Sequence, residues 1–125
     1  RSPYVQTLKE QSEIFGVRML DKMPTKSDIK QGYGLILDAV FGFSFDVSSG
    51  IRAPFDEILE TMWTCGVDVV ALDIPSGWSV NDGPIDAAST WVPSCVISLT
   101  IPKKCVENYK GIHYLGGSFV PPVER

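Results

Sequence analysis

Two apolar runs in this sequence end alike, Leu37-Asp38-Ala39 and Leu72-Asp73-Ile74, and the second opens into Pro75-Ser76-Gly77. Acids at the carboxyl ends of buried parallel strands face the crevice where open α/β sheets bind ligands. Asp38, Asp73 and Ser76 therefore form one candidate set. Their oxygens suit acid–base work or a hard, oxygen-ligated cation. The plainer alternative is that each aspartate caps the turn after it, a common duty for this side chain. Ser76 lacks the setting of a nucleophile, because its flanks are not G-x-S-x-G and His113 is the lone histidine.

A second candidate is the loop Gly42-Phe43-Ser44-Phe45-Asp46-Val47-Ser48-Ser49-Gly50, with Arg52 just beyond. Freed backbone N–H groups and serine hydroxyls can cradle a phosphate, although neither G-x-G-x-x-G nor G-x-x-x-x-G-K-[ST] occurs. Phe43 and Phe45 read as core residues, following the general preference of aromatics for burial. Lys103-Lys104 reads as a solvated charge pair that an anionic ligand could also use, and His113 as a structural residue. Cys65, Cys95 and Cys105 are odd in number and lack C-x-x-C spacing. They read as reduced, partly buried thiols and not as a disulfide framework or zinc site.

The elements that must position these residues follow from periodicity. Val5, Leu8 and Phe15 recur at helical spacing from Pro3 to Phe15, with Ser2 as N-cap and Gly16 as stop. Val17–Leu20 reads as a strand and Asp21–Gly32 as a loop with room for one helical turn. Leu35–Gly42 is a continuous apolar run broken by one acid, the pattern of a strand buried on both faces. Pro54 opens a helix that places Phe55, Ile58, Leu59 and Met62 on one face and closes at Gly66. Strands follow at Val67–Asp73 and Cys95–Thr100, with a short terminal strand in Tyr114–Pro122. Strand, helix, strand in this register predicts a right-handed crossover and an α/β fold with a mainly parallel sheet.

Composition fits that class. The 125 residues, 44% hydrophobic and 21% charged, suit one domain and exclude intrinsic disorder. A net charge of −4 and a pI near 4.8 argue against a general affinity for nucleic acid or anionic membrane. No apolar run approaches the ~18 residues of a membrane span.

Five segments then occur in a telling order: L-I-L-D-A-V-F-G-F-S-F (35–45), R-A-P-F (52–55), D-I-P-S-G-W-S-V (73–80), S-L-T-I-P-K-K (98–104) and H-Y-L-G-G-S-F-V-P-P (113–122). Together they resemble the C-terminal half of the NAD(P)H-hydrate epimerase family, the YjeF amino-terminal domain. The likeness runs from about Pro3 to Pro122 and implies a Rossmann-like three-layer α/β/α domain, with residues 1–125 its C-terminal part. It also implies an isomerase that interconverts the R and S epimers at C6 of hydrated NADH or NADPH, collectively NAD(P)HX. By the same likeness Asp38 and Ser76 match potassium ligands. Gly42, Phe43, Ser44, Phe45, Asp46, Val47 and Ser48 match the substrate-contacting loop, and Asp73 the acid beside the hydrated ring. A homodimer is implied for the complete domain, in the cytoplasm or the mitochondrion.

The chemistry agrees with that assignment. C6 of the hydrate bears a ring nitrogen and a hydroxyl, so its inversion needs no redox step. Loss and return of the hydroxyl, or ring opening and closure, needs only proton transfers, and Asp73 could supply them. Two departures from the family stand out. The loop between Phe45 and Arg52 is about two residues longer than usual. The family's G-N-N-G-G-D-G segment, which supplies phosphate-binding amides and an Asn ligand to the potassium, is not among these residues. The sequence therefore reads as part of a longer protein, with one sheet edge left open and its own activity weak or absent. The alternative within the same family is a non-catalytic scaffold of the mRNA-decapping type, which dimerises and can bind RNA. Asp38, Asp73 and Ser76 together favour the enzyme, since a scaffold has no chemical need of all three.

Overall fold

In a computed structural model of the chain, residues 3–84 and 91–117 are described. Helix α1 (Pro3–Ile14) ends in a Schellman motif, with Gly16 at φ 81°, Gly16 N–H bonded to Glu13 O and Val17 N–H to Ser12 O. Its proposed N-cap, Ser2, lies outside the described residues. No strand forms at Val17–Leu20, where the chain runs exposed and pairs with no neighbour among the described residues. A β-prone tetrapeptide without a ladder partner leaves its backbone groups to water.

The loop expected from Asp21 to Gly32 holds a two-turn helix, α2 (Lys26–Gly32). Thr25 and Asp28 form a reciprocal capping box there: the Thr25 hydroxyl accepts from Asp28 N–H, and the Asp28 carboxylate accepts from Thr25 N–H. The main sheet comprises β1 (Ile36–Asp38), β2 (Val69–Leu72), β5 (Cys95–Ser98) and β6 (Ile112–Leu115), in that order and all parallel. Helix α3 (Phe55–Thr64) makes the crossover from β1 to β2, and Gly66, at φ 77°, follows its end. A hairpin the sequence did not announce, β3 (Trp78–Ser79) with β4 (Gly83–Pro84), follows β2. The fold is thus α/β with a mainly parallel sheet, as periodicity implied, and Rossmann-like, as the family resemblance implied. Of the terminal strand expected at Tyr114–Pro122, Tyr114 and Leu115 belong to β6, and residues from 118 onward lie outside the described set.

Register decides which face is buried. Ile36, Asp38, Val69, Ala71, Val96 and Ser98 share one side of the sheet. Over them pack Leu59 and Met62 of α3, and, farther along, Ile74, Trp78, Cys105 and Val106. Burying Leu59 alone contributes about 1.5–3 kcal/mol. The other side carries Leu37, Ile112 and Tyr114, and Leu37 is 61% exposed. The expectation that the Leu35–Gly42 run is buried on both faces is therefore corrected. Both clusters lie on one side, and the ladder takes only three residues of the run. Cys65, Cys95 and Cys105 are free and buried.

Candidate functional site

Parallel pairing brings the carboxyl ends of β1, β2 and β5 to one edge of the sheet. Asp38 closes β1 with its carboxylate fully buried. Across that edge, Ser76 donates its hydroxyl to Asp38 Oδ1 at 2.6 Å, and its backbone N–H donates to Asp38 Oδ2 at 2.7 Å. The same Ser76 oxygen accepts Phe41 N–H at 2.9 Å, which ties the loop after β1 to the turn after β2. Val40 N–H adds a long bond of 3.3 Å to Asp38 Oδ1. Both readings of Asp38 thus have a physical basis, since it caps its own turn and also joins a second strand end.

Gly77 is what lets that turn close. Its φ is 90°, and a Cβ there would sit 3.3 Å from both Ile51 Cδ1 and Trp63 Cη2. Trp63 in turn stacks on Trp91 at 5.2 Å. The two side chains wall the turn from the α3 side.

Asp73 stands one step past β2 with a left-handed backbone, φ 67°. Leu72 O accepts Ile74 N–H across it at 3.0 Å, so residues 72–74 form a γ-turn of the rare positive-φ kind. The end of β5 repeats the device: Thr100 has φ 68°, and Leu99 O accepts Ile101 N–H at 2.8 Å. Left-handed backbone in a β-branched residue is a genuine outlier and costs about 1–3 kcal/mol. The paired turns are joined by a side chain that sequence reading had assigned to solvent. Lys103 Nζ donates to Asp73 Oδ1 at 2.6 Å, to Leu99 O at 2.8 Å and to Ile101 O at 3.1 Å. Both members of the ion pair are largely buried, and only Lys104 is solvated as expected. A lysine one residue after Pro102 carries no such signal in the sequence, since β5 ends at Ser98 and the contact depends on the pairing of Leu72 with Ile97.

The loop from Gly42 borders an open cleft of about 660 Å³. Gly42, Ser44, Phe45 and Asp46 line it, together with Phe41, Phe55 and Arg52; Phe43, Val47 and Ser48 do not. Phe45 stacks on Phe41 with centroids 4.4 Å apart. Phe43 is exposed, so its assignment to the core is corrected: this loop turns outward before α3 begins. Asp46 caps the 3₁₀ turn Val47–Ser49, accepting the Ser48 hydroxyl at 2.8 Å and Ser48 N–H at 2.9 Å. Those two bonds hold its carboxyl below the usual aspartate value. Among the described residues Arg52 is the one cation lining the cleft.

His113, exposed on β6, bonds the fully buried Ser98 Oγ through Nε2 at 2.8 Å. Burial, and then the charge of Asp73, push the Cys105 thiol upward. Among the described residues no group of three or more His, Cys, Asp or Glu side chains could hold a metal, and no helix is long and apolar enough to cross a membrane.

Known proteins share this arrangement of sequence and fold. The family described as YjeF-related protein N-terminus matches residues 2–105. An NAD(P)H-hydrate epimerase of Aedes aegypti is 42% identical over 116 residues, which cover 92% of this chain and 49% of that protein. One of Caenorhabditis briggsae is 42% identical over 123 residues, 97% of this chain and 50% of the relative. In three dimensions the crystal structure of yeast ynu0 superposes with a TM-score of 0.81 at 32% identity, covering 97% of this chain and 52% of that one. The chain spans about half the length of the curated relatives it matches.

Proposed function

Because this chain belongs to the YjeF-related protein N-terminus family, we propose that it serves NAD(P)H-hydrate epimerisation, as its named relatives do. The observation that carries the reading is Asp73, held at a strained strand end with Oδ1 pinned and with no partner to Oδ2 among the described residues. At C6 of the hydrate the ionised carboxylate takes the hydroxyl proton as C=O forms and the C6–N bond breaks, and the ring nitrogen, which keeps the bonding pair, takes that proton. The freed aldehyde turns its other face to the nitrogen, and the reverse transfers close the ring on it. No electron is gained or lost, so one group that takes up and hands on a proton suffices. Asp73 Oδ2 is assigned that role. The cleft bordered by Gly42, Ser44, Phe45 and Asp46 would take the nucleotide, with Arg52 facing its phosphate charge.

A potassium ion belongs to the same proposal. Asp38 and Ser76 are hard oxygen donors, and the buried Asp38 carboxylate meets no cationic side chain among the described residues. That donor set fits the cation in kind, although such ions take six or more oxygens and these two residues supply only part. When bound, the ion would neutralise buried negative charge near the substrate phosphates. The relatives' shared name favours the isomerase over the scaffold alternative. A homodimer completes the reading and is checked by sedimentation of the native protein.

The test is direct. The native protein is mixed with the separated R epimer of NADHX, and formation of the S epimer is followed by liquid chromatography against the uncatalysed rate. Conversion no faster than in buffer overturns the reading. An Asp73→Asn protein that keeps the full rate removes Asp73 from its assigned role.

A further inference from the structure

Lys103 satisfies every donor it has within the protein. An ammonium group carries three N–H bonds, and Asp73 Oδ1, Leu99 O and Ile101 O take one each. It has none left for a ligand. Two of those acceptors flank Thr100, and the third belongs to Asp73, so one side chain joins the two left-handed γ-turns at the ends of neighbouring strands. The strands bring them together through the pairing of Leu72 with Ile97 and the bond from Asp73 N–H to Ile97 O at 2.8 Å. Strained turns persist only where surrounding contacts over-determine them, and the Lys103 clamp is the contact shared by both. Asp73 Oδ1 accepts a second, long bond from Leu99 N–H at 3.3 Å, which further fixes the carboxylate plane. Oδ2 takes no bond from any described residue.

We infer that Lys103 is a positioning residue for Asp73, one that pins Oδ1, balances its charge and leaves Oδ2 directed to a substrate. The inference rests on the epimerase reading for its kinetic consequence and on geometry alone for the clamp. A lysine in this role never touches substrate, so its removal acts on turnover more than on affinity.

The experiment uses the native protein and two readouts. In the first, Lys103→Met keeps the length and removes the charge. It should lower kcat for epimerisation about 10- to 100-fold, the range for loss of a hydrogen bond to a charged group, and change KM by less than about threefold. Lys103→Arg should recover part of the loss. The double variant Lys103→Met with Asp73→Asn should be no slower than Asp73→Asn alone, because the lysine works only through that carboxylate. A Lys103→Met enzyme within twofold of the unmutated kcat overturns the inference, as does a loss wholly in KM or an additive double variant.

The second readout needs no activity. The ¹⁵Nζ resonance of Lys103 should be protected from solvent exchange and should lose that protection in Asp73→Asn. A resonance exchanging like that of a free lysine overturns the clamp even if Lys103→Met fails to fold. An unmutated protein without epimerase activity refutes the functional reading, and the resonance then decides the clamp by itself.

Discussion

Removing the Ser76 hydroxyl is the sharpest test of how the strand ends are joined. Ser76 is 1% exposed, and its oxygen donates to a carboxylate at 2.6 Å while accepting Phe41 N–H at 2.9 Å. Losing a hydrogen bond to a buried charge costs about 1.5–3 kcal/mol, and an unpaired N–H at a partly buried site about 1–3 kcal/mol more. The two losses share one atom and are not fully additive. Ser76→Ala should therefore destabilise the native protein by about 2–4 kcal/mol. At a slope of about 2 kcal/mol per molar urea, the unfolding midpoint falls by about 1–2 M. Ser44→Ala, in the exposed loop, is the control and should stay within about 0.5 kcal/mol. Urea curves taken in potassium chloride and in choline chloride at equal ionic strength add the cation arm. A cation held by Asp38 and Ser76 stabilises the unmutated protein by about 2.7 kcal/mol at a hundred times its dissociation constant, and the alanine variant less. A Ser76→Ala cost below about 0.5 kcal/mol in both salts refutes the bridge. Identical curves in the two salts refute only the cation.

Gly77→Ala should cost about 1–3 kcal/mol, since φ is 90° and the new methyl meets Ile51 and Trp63 at 3.3 Å; a melting temperature equal to that of the parent would contradict it. Leu59→Ala should lower stability by about 2–5 kcal/mol, because the side chain is fully buried under the sheet. Leu37→Ala in the 125-residue chain should cost less than about 1 kcal/mol, as Leu37 is already 61% exposed. A reversed order of these two in urea unfolding would mean that the faces are misassigned. The Asp46 carboxyl is depressed by the Ser48 hydroxyl and then by Ser48 N–H. A depressed folded value gives stabilisation that is present above the unfolded value and lost as pH falls through the folded one. Carbon-detected titration should find Asp46 below a free aspartate and find it raised in Ser48→Ala, and an unmoved midpoint would count against the cap.

Periodicity read the frame of this fold well where an element supplies its own partners. Phe55–Thr64 carries its apolar stripe and its stop within one stretch of chain, and both appear where the spacing put them. Val17–Leu20 shows the limit. A strand exists only when another segment supplies the ladder, and four apolar residues say nothing about that partner. Helix α2 was missed for the opposite reason. Its signal lay in Thr25 and Asp28, a cap with Asp in place of the usual Glu, and hydrophobic spacing does not reveal a mostly polar helix. The exposed side of the main sheet was equally hidden, since an unbroken apolar run reads as buried on both faces wherever its neighbours lie.

At the candidate site the legible part was the pair of strand-ending acids, and the illegible part was what each acid holds. Asp38 and Ser76 are separated by 38 positions, Asp73 and Lys103 by 30, and each pair meets through strands that lie side by side. Spacing could nominate Asp38 and Asp73 because both end apolar runs, a local property. It could not nominate Lys103, because a lysine after a proline is ordinary until Leu72 is known to pair with Ile97. That register sets Asp73 beside Thr100's turn, and the stretch from Leu99 to Lys103 then returns the ammonium to the carboxylate. A one-residue slip of β5 against β2 would turn Ser98 and Val96 out of the core, so burial of the apolar face fixes the register. The ion pair at the site is thus a consequence of core packing several residues away, and a substitution that shifts β5 should disturb Asp73 without touching it.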